Sequence, residues 1–151
     1  MSAIGKFVRA IMALCIAAAS CVASLAQTIT IGLSGDITAF DPHYHNVGPN
    51  NSAAAHVFER LVAMDEQQRL KPGLALSWKP IDDLNWEFKL RRGVKWHDGS
   101  DFTADDVIAS LDRVPKVPNS PSSFSTYVRP IKAVRATDPY TLVMTTEKPH
   151  P

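Results

Sequence analysis

The stretch that decides the fold runs from Trp86 to Val114 and reads WEFKLRRGVKWHDGSDFTADDVIASLDRV. Apolar and polar residues alternate from Leu84 to Arg91, which predicts a strand with one buried and one wet face. His97–Ser100 has the composition of a turn. Thr103, with Asp106 three residues later, predicts a capped helix start. The apolar stripe of that helix comprises Val107, Ile108, Leu111 and Val114.

Weaker signals on both sides of this stretch predict further elements. Thr28–Leu33 alternates polar and apolar residues and predicts a short strand with one buried face. Residues 53–63 predict a helix, for which Asn50, Asn51 and Ser52 are the N-cap candidates. The apolar stripe of this helix would comprise Ala54, Val57, Phe58, Leu61 and Val62. A loop rich in Pro and Ser follows Val114, and two strands, near 131–136 and 140–146, end the sequence.

The first 26 residues differ in composition from the rest of the chain. They contain both cysteines, the basic residues Lys6 and Arg9, and no acidic residue. An apolar run over residues 10–19 and the small residues of Ser24-Leu25-Ala26 predict a secretory signal peptide cleaved after Ala26. A buried N-terminal helix or a membrane anchor is the alternative. Cleavage before Cys21, as in a lipoprotein, is a second alternative.

Removal of residues 1–26 leaves a body without cysteine and with one modest core. Its formal charge is −1, because Lys6 and Arg9 account for the difference from the +1 of the whole chain. This balance argues against nucleic acid or an anionic membrane as the main partner, since both require concentrated positive charge. The lack of cysteine excludes disulfides, thiolate nucleophiles and Cys-ligated metal sites from the body.

Histidines are the only group that suggests catalysis. His43, His45 and His56 lie close in the sequence and could ligate a metal, although ordinary hydrogen-bonded histidines are the alternative interpretation. His97 and Asp98 are adjacent in a turn, which favours a structural role over a catalytic pair. The sequence contains no Gly-rich phosphate loop and no Ser in a nucleophile-elbow pattern.

Two stretches resemble one known family. Residues 56–78, HVFERLVAMDEQQRLKPGLALSW, are similar to its pattern of a helix ending in Leu-Val, a polar turn and Pro-x-Leu-Ala-x-Ser-Trp. Residues 86–114 are similar to its W-x-F-x-L-R strand, its G-V-K-aromatic-H-D-G turn and its F-T-A-D-D-V helix start. Phe40–His43 fits the loop after the first strand. On these motifs the chain resembles the extracytoplasmic solute-binding proteins of ABC importers for peptides and nickel, the oligopeptide/dipeptide-binding type.

The resemblance implies a periplasmic-binding-protein-like α/β fold, a bilobal Venus flytrap with a small mixed α+β domain inserted in its first lobe. Residues 1–26 would then be the signal peptide and residues 27–58 the first strand and helix of the first lobe. Residues 59–151 would form the inserted domain. Family members are several times longer than this chain, so the resemblance predicts an N-terminal fragment in which the second lobe is absent.

The resemblance also implies a ligand-binding site. The family's cleft loop corresponds to Tyr44, His45 and Asn46, and a second cleft segment corresponds to Phe124 and Tyr127. Some peptide-binding members carry an acid where this chain has Asn46. The alternative for the two aromatic residues is the core of the inserted domain.

The implied function is capture of a peptide, or a related solute such as a nickel chelate, in the periplasm. Delivery to an inner-membrane ABC permease would follow. The protein would be a monomer without catalytic residues, resident metal or cofactor, and nucleic acid would not be a partner. The alternative function is a secreted metal-dependent hydrolase that uses His43, His45 and His56. A third possibility is a fragment that binds solute weakly or not at all.

Overall fold

The secondary structure combines two antiparallel sheets with short helices. The computed structural model describes residues 28–150. The strands are β1 (Val62–Met64), β2 (Leu70–Pro72), β3 (Ala75–Pro80), β4 (Asn85–Leu90), β5 (Ile131–Asp138) and β6 (Thr141–Thr146). The helices are α1 (Gly48–Ala54), α2 (Ala104–Arg113) and α3 (Ser125–Val128), and a 3₁₀ turn at Val114–Lys116 follows α2. This mixture of strands and helices agrees with the α and β content of the predicted fold.

The larger sheet is antiparallel throughout, in the order β3-β4-β6-β5. Its strand β4 is the alternating stretch predicted from the sequence, and Trp86 and Phe88 pair with Met144 and Leu142 of β6. Because successive side chains point to opposite faces, these four apolar residues share one face and Glu87 lies on the other. Glu87 contacts two lysines at 3.6 Å, so the second face is mainly polar, as predicted, although Val143, the cross-strand partner of Glu87, is buried there.

Helix α2 begins at the predicted capping residues. The Asp106 carboxylate accepts a hydrogen bond from the Thr103 backbone N–H at 2.7 Å, which completes a capping box. Apolar side chains of the helix and of the preceding turn then pack on the sheet. The buried cluster consists of Ala75, Leu90, Phe102, Ala104, Val107 and Leu142. The helix and its orientation are therefore set by a local cap and one apolar stripe.

The strand predicted at Thr28–Leu33 does not form. These residues adopt neither strand nor helix, and the side chains of Ile29 and Ile31 are exposed. Strand conformation needs the backbone of a partner strand, and within residues 28–150 no strand pairs with this segment. The alternation in the sequence was therefore not sufficient to predict the strand or its buried face.

The helix predicted at residues 53–63 is displaced towards the N-terminus. Helix α1 starts at Gly48, after Val47, and Pro49 lies in its first turn, where a missing N–H costs little. Asn50, Asn51 and Ser52 are consequently inside the helix and are not its caps. The chain turns after Ala54.

Sheet pairing explains why the helix does not extend to the predicted residue 63. Val62 pairs with Pro72 in the β1–β2 sheet, and the Leu61 carbonyl accepts the N–H of Ala75 at 2.8 Å. Backbone groups used in this way are unavailable to a helix. Val57, assigned to the helical stripe, is 59% exposed. Tertiary pairing has overridden the helical period.

The strands near the C-terminus agree with their prediction, although β5 continues to Asp138. Residues 33–150 form one compact unit, and residues 28–32 belong to a separate unit. The boundary at 58/59 between the first lobe and the inserted domain stays a prediction. The signal peptide and Cys21 lie outside the described residues. Between residues 28 and 150, no helix has the length and apolar character needed to cross a membrane.

Candidate functional site

Two loops that are far apart in the sequence lie side by side. The Asn46 backbone N–H donates to the Ser122 carbonyl at 2.9 Å, and His45 forms a parallel bridge with Ser122. One residue earlier, the Ser120 hydroxyl donates to the carbonyl of Tyr44. The backbone bridge and the Ser120 hydrogen bond therefore join the loop before α1 to the loop before α3.

The five residues predicted to bind ligand are brought together by this pairing. The Asn46 side-chain amide donates to the Tyr127 hydroxyl oxygen at 3.3 Å. The ring centroids of Phe124 and Tyr127 are 6.2 Å apart, and those of Tyr44 and His45 are 6.4 Å apart in an edge-to-face arrangement. We call Tyr44, His45, Asn46, Phe124 and Tyr127 the two-loop surface.

The two-loop surface is partly exposed: Tyr127 is open to solvent, and its other four residues are half-buried. Tyr127 is 67% exposed, so the alternative that places it in a core is wrong, whereas Phe124 is half-buried. Grooves of about 490 and 520 Å³ lie elsewhere, one beside Trp86 and one beside Tyr140. Aromatic rings with hydrogen-bonding edges suit a solute that carries both apolar and polar groups. The two-loop surface would present its rings and hydrogen-bonding groups to one side of such a solute.

An ion pair anchors the start of the first loop. The Arg113 guanidinium donates to both carboxylate oxygens of Asp41, at 2.9 and 2.5 Å. The hydrogen bonds from Arg113 are the main cause that lowers the pKa of Asp41 to about 2. Burial lowers the pKa of His43, and the positive charge of Arg113 lowers it further. The loop is thus held by a charged pair beside a histidine whose pKa is lowered.

The geometry does not bring the three histidines together as a metal site. His43 Nδ1 lies 3.0 Å from Arg113 Nη1, and a guanidinium can only donate, so this nitrogen accepts. His45 Nδ1 contacts the Thr38 hydroxyl at 3.0 Å, and His56 is exposed after α1. In the part of the chain that the structure describes, no three His, Cys, Asp or Glu side chains are placed to hold a metal ion.

The same contacts argue against a serine hydrolase at this position. Because His43 Nδ1 accepts from Arg113, its Nε2 carries the proton, and this nitrogen faces the Ser110 hydroxyl at 3.4 Å. A protonated nitrogen does not remove a proton from Ser110. The His97–Asp98 pair is structural, since Asp98 accepts from the backbone N–H and hydroxyl of Ser100 at 2.9 and 2.7 Å.

Sequence reasoning missed the residues that support the two-loop surface. Thr38, Asn50 and Asn51 hold the side chains of His45 and Asn46, and Arg113 holds Asp41. The paired asparagines were noticed as helix caps, so their polar side chains in a short helix were a usable signal. Nothing in the spacing of Arg113 and Asp41 indicates their contact.

Comparisons with known proteins agree on one family. Residues 69–151 match the sequence profile described as "Bacterial extracellular solute-binding proteins, family 5 Middle". The glutathione-binding protein GsiB of Escherichia coli (strain 536) is 34% identical over 132 residues, which are 87% of this chain and 25% of the relative. The chain thus spans about a quarter of the length of the curated relatives that it matches.

Solved structures give the same result. OppA of Haemophilus influenzae, in complex with the peptide RPPGFSPFR, matches 75% of this chain and 25% of its own, with a TM-score of 0.67 and 29% identity. NikZ of Campylobacter jejuni, in complex with Ni(L-His), matches 63% of this chain and 19% of its own, with a TM-score of 0.56 and 41% identity. The profile match, the relatives and the shared fold together establish that the chain belongs to the bacterial extracellular solute-binding proteins of family 5.

Proposed function

We propose that the two-loop surface is one wall of a solute-binding site, in a protein that captures peptides or related amino-acid-derived solutes outside the cytoplasm. The observation that carries this proposal is the contact between two segments, predicted as cleft loops and far apart in the sequence, whose five residues form one partly exposed surface. A peptide offers carbonyls, amides and apolar side chains, and the surface offers hydrogen-bonding groups beside aromatic rings. Binding of this kind makes and breaks no covalent bond.

The names of the similar proteins support this class of solute. Glutathione, the peptide RPPGFSPFR and Ni(L-His) all contain an amino acid, free or within a peptide. A nickel chelate is therefore a second candidate solute, favoured by the 41% identity to NikZ. The proposal also includes the predicted signal peptide, export to the periplasm and delivery to an ABC permease. It divides the chain into residues 27–58 of a first lobe and residues 59–151 of an inserted domain.

The proposal is tested by following backbone amide signals of the chain by NMR during titration with tri-alanine, glutathione and Ni(L-His). A wall that contacts solute on one side predicts a weak Kd, of about 1 mM. The shifted signals should cluster on the two-loop surface, and Tyr127→Ala should abolish them. Trp96→Ala is the matched control, because Trp96 is an exposed aromatic residue outside that surface. Shifts that cluster at another groove, or no shifts with any of the three solutes, would contradict the proposal.

A further inference from the structure

The ring of His45 is oriented by Thr38. The Thr38 hydroxyl lies 3.0 Å from His45 Nδ1. In a neutral imidazole, one nitrogen donates and the other accepts, so the direction of this hydrogen bond decides which nitrogen carries the proton. The partners of Thr38 determine that direction.

Asn50 fixes the hydroxyl of Thr38. Asn50 is 4% exposed, and its Oδ1 accepts the backbone N–H of Thr38 at 2.9 Å. Since a backbone N–H can only donate, the orientation of the Asn50 amide is determined, and its Nδ2 donates to the Thr38 hydroxyl oxygen at 3.1 Å. The hydroxyl proton then has two acceptors within reach, His45 Nδ1 at 3.0 Å and Asn50 Oδ1 at 3.4 Å. The 3.4 Å contact is longer than the usual O–H···O bond of about 2.5–3.0 Å, so the hydroxyl proton is assigned to His45.

It follows that His45 Nδ1 accepts and His45 Nε2 carries the proton. A protonated Nε2 donates a hydrogen bond to an oxygen atom and has no lone pair to offer a metal ion. The tautomer therefore bears directly on which solute this histidine can contact.

A second chain of hydrogen bonds ends at Tyr127. Asn51, the neighbour of Asn50 in α1, donates from Nδ2 to Asn46 Oδ1 at 2.9 Å, and Asn46 Nδ2 faces the Tyr127 hydroxyl oxygen at 3.3 Å. An amide nitrogen can only donate, so the Tyr127 oxygen is the acceptor in this contact. The Tyr127 oxygen accepts from Asn46, and its own proton is directed elsewhere.

We propose that His45 Nε2–H and Tyr127 O–H are hydrogen-bond donors to the solute, and that the two-loop surface takes an acceptor oxygen, from a carboxylate or a peptide carbonyl, in preference to a metal ion. This inference rests on the proposed function and narrows its solute class. Both donors are oriented by adjacent asparagines of α1, and the buried Asn50 is the group that the surface could least readily rearrange.

The tautomer is tested first in the solute-free chain. Long-range ¹H–¹⁵N NMR at neutral pH should show His45 protonated at Nε2, and Thr38→Val should convert the ring to a mixture of tautomers. Thr137→Val is the matched control, because it removes a threonine hydrogen bond to the Thr141 carbonyl in the larger sheet. A His45 ring protonated at Nδ1 in the unaltered chain would overturn the inference.

Solute contacts are tested with tri-alanine and its C-terminal amide. His45→Gln keeps an N–H near the position of Nε2 and should bind within about threefold of the unaltered chain, whereas His45→Asn should lose about tenfold. Asn46→Asp, which can only accept from Tyr127, should also lose about tenfold. A similar loss for the C-terminal amide assigns the contact to a carboxylate, and equal binding assigns it to a peptide carbonyl. Equal affinities of the Gln and Asn variants would overturn the inference.

Nickel separates the two solute classes. One equivalent of nickel chloride should leave the His45 ring signals unbroadened, and specific broadening of these signals would overturn the inference. If none of tri-alanine, glutathione and Ni(L-His) binds the chain, the proposed function fails, and the tautomer of the free chain still decides whether His45 is a donor.

Discussion

Arg113, the last residue of α2, donates hydrogen bonds to both carboxylate oxygens of Asp41, although 72 positions separate the two residues. The same carboxylate accepts the backbone N–H of His43 at 2.9 Å, so it fixes a turn and a helix end together. A two-point guanidinium–carboxylate contact is geometrically specific as well as charged. The Arg113–Asp41 contact attaches the loop before α1 to α2, whereas the Ser122 contact attaches the same loop to the loop before α3.

Replacing Asp41 should loosen this loop. Asp41→Asn removes the charge and one acceptor oxygen, and we expect the free energy of unfolding to fall by about 1 kcal/mol, because Arg113 is half exposed and solvent screens the pair. Urea denaturation measures this change. Asp112→Asn is the control, since it breaks an exposed pair with Lys116 one helical turn away and should cost less. Equal losses of unfolding free energy in the two variants would show that the Asp41–Arg113 contact stabilises the protein no more than an exposed ion pair does.

Acidification should reduce stability in two separate ranges. The pKa of His43 is lowered below its ordinary 6.5, so the unfolded state takes up this proton first and stability falls as the pH drops below about 6.5. The pKa of Asp41 is lowered from 3.8 to about 2, so its contribution is complete above about pH 4 and is lost as the pH approaches 2.

Urea midpoints measured between pH 8 and pH 2 test both ranges. His43→Gln should flatten the first fall, and Asp41→Asn should reduce the second. Other carboxylates with lowered pKa values also titrate in the acid range: Asp65, Asp82, Asp98 and Asp138. The contribution of Asp41 is therefore read from the difference in urea midpoint between the unaltered chain and Asp41→Asn. Parallel curves for these two proteins would contradict the assignment.

Gly73 should not tolerate a side chain. A Cβ atom at this position would lie 2.3 Å from the Arg60 carbonyl oxygen, which accepts the N–H of Leu74 at 2.9 Å. Because the clash is with backbone, we expect Gly73→Ala to cost about 3 kcal/mol, at the upper end of overpacking effects. Gly48→Ala is the control, since a Cβ there meets nothing within 4 Å. Thermal unfolding of the two variants should differ clearly, and equal midpoints would show that the backbone shifts easily.

The side chain of Leu142 should make a large contribution to the free energy of unfolding. Its side chain is fully buried at the centre of the larger sheet, and Leu142→Ala should cost about 3 kcal/mol through lost burial and the cavity left behind. Leu76→Ala is the matched control, because Leu76 is 51% exposed and its loss should cost under about 1 kcal/mol. Urea denaturation of both variants makes the comparison. A loss of equal size at Leu76 would indicate that this exposed leucine is covered in solution.

Signals carried by neighbouring residues predicted the central part of the fold. The alternation in β4 and the cap at Thr103 depend on residues close in sequence, and both agree with the structure. The resemblance also indicated the two loops that meet at Asn46 and Tyr127, although it gave no contact between them.

The sequence by itself therefore determined the elements whose energetics are local. These are the strand with its two-residue alternation, the capping box and the apolar stripe on one helix face. Only the tertiary structure decided that the helix does not extend to residue 63, since β1 takes the backbone of Val62 into a sheet. It also decided the pairing of Arg113 with Asp41 and the proton on His45, which depends on the buried Asn50. The physical reason is that hydrogen bonds and charge contacts depend on distance in space, and folding makes neighbours of residues that the sequence keeps far apart.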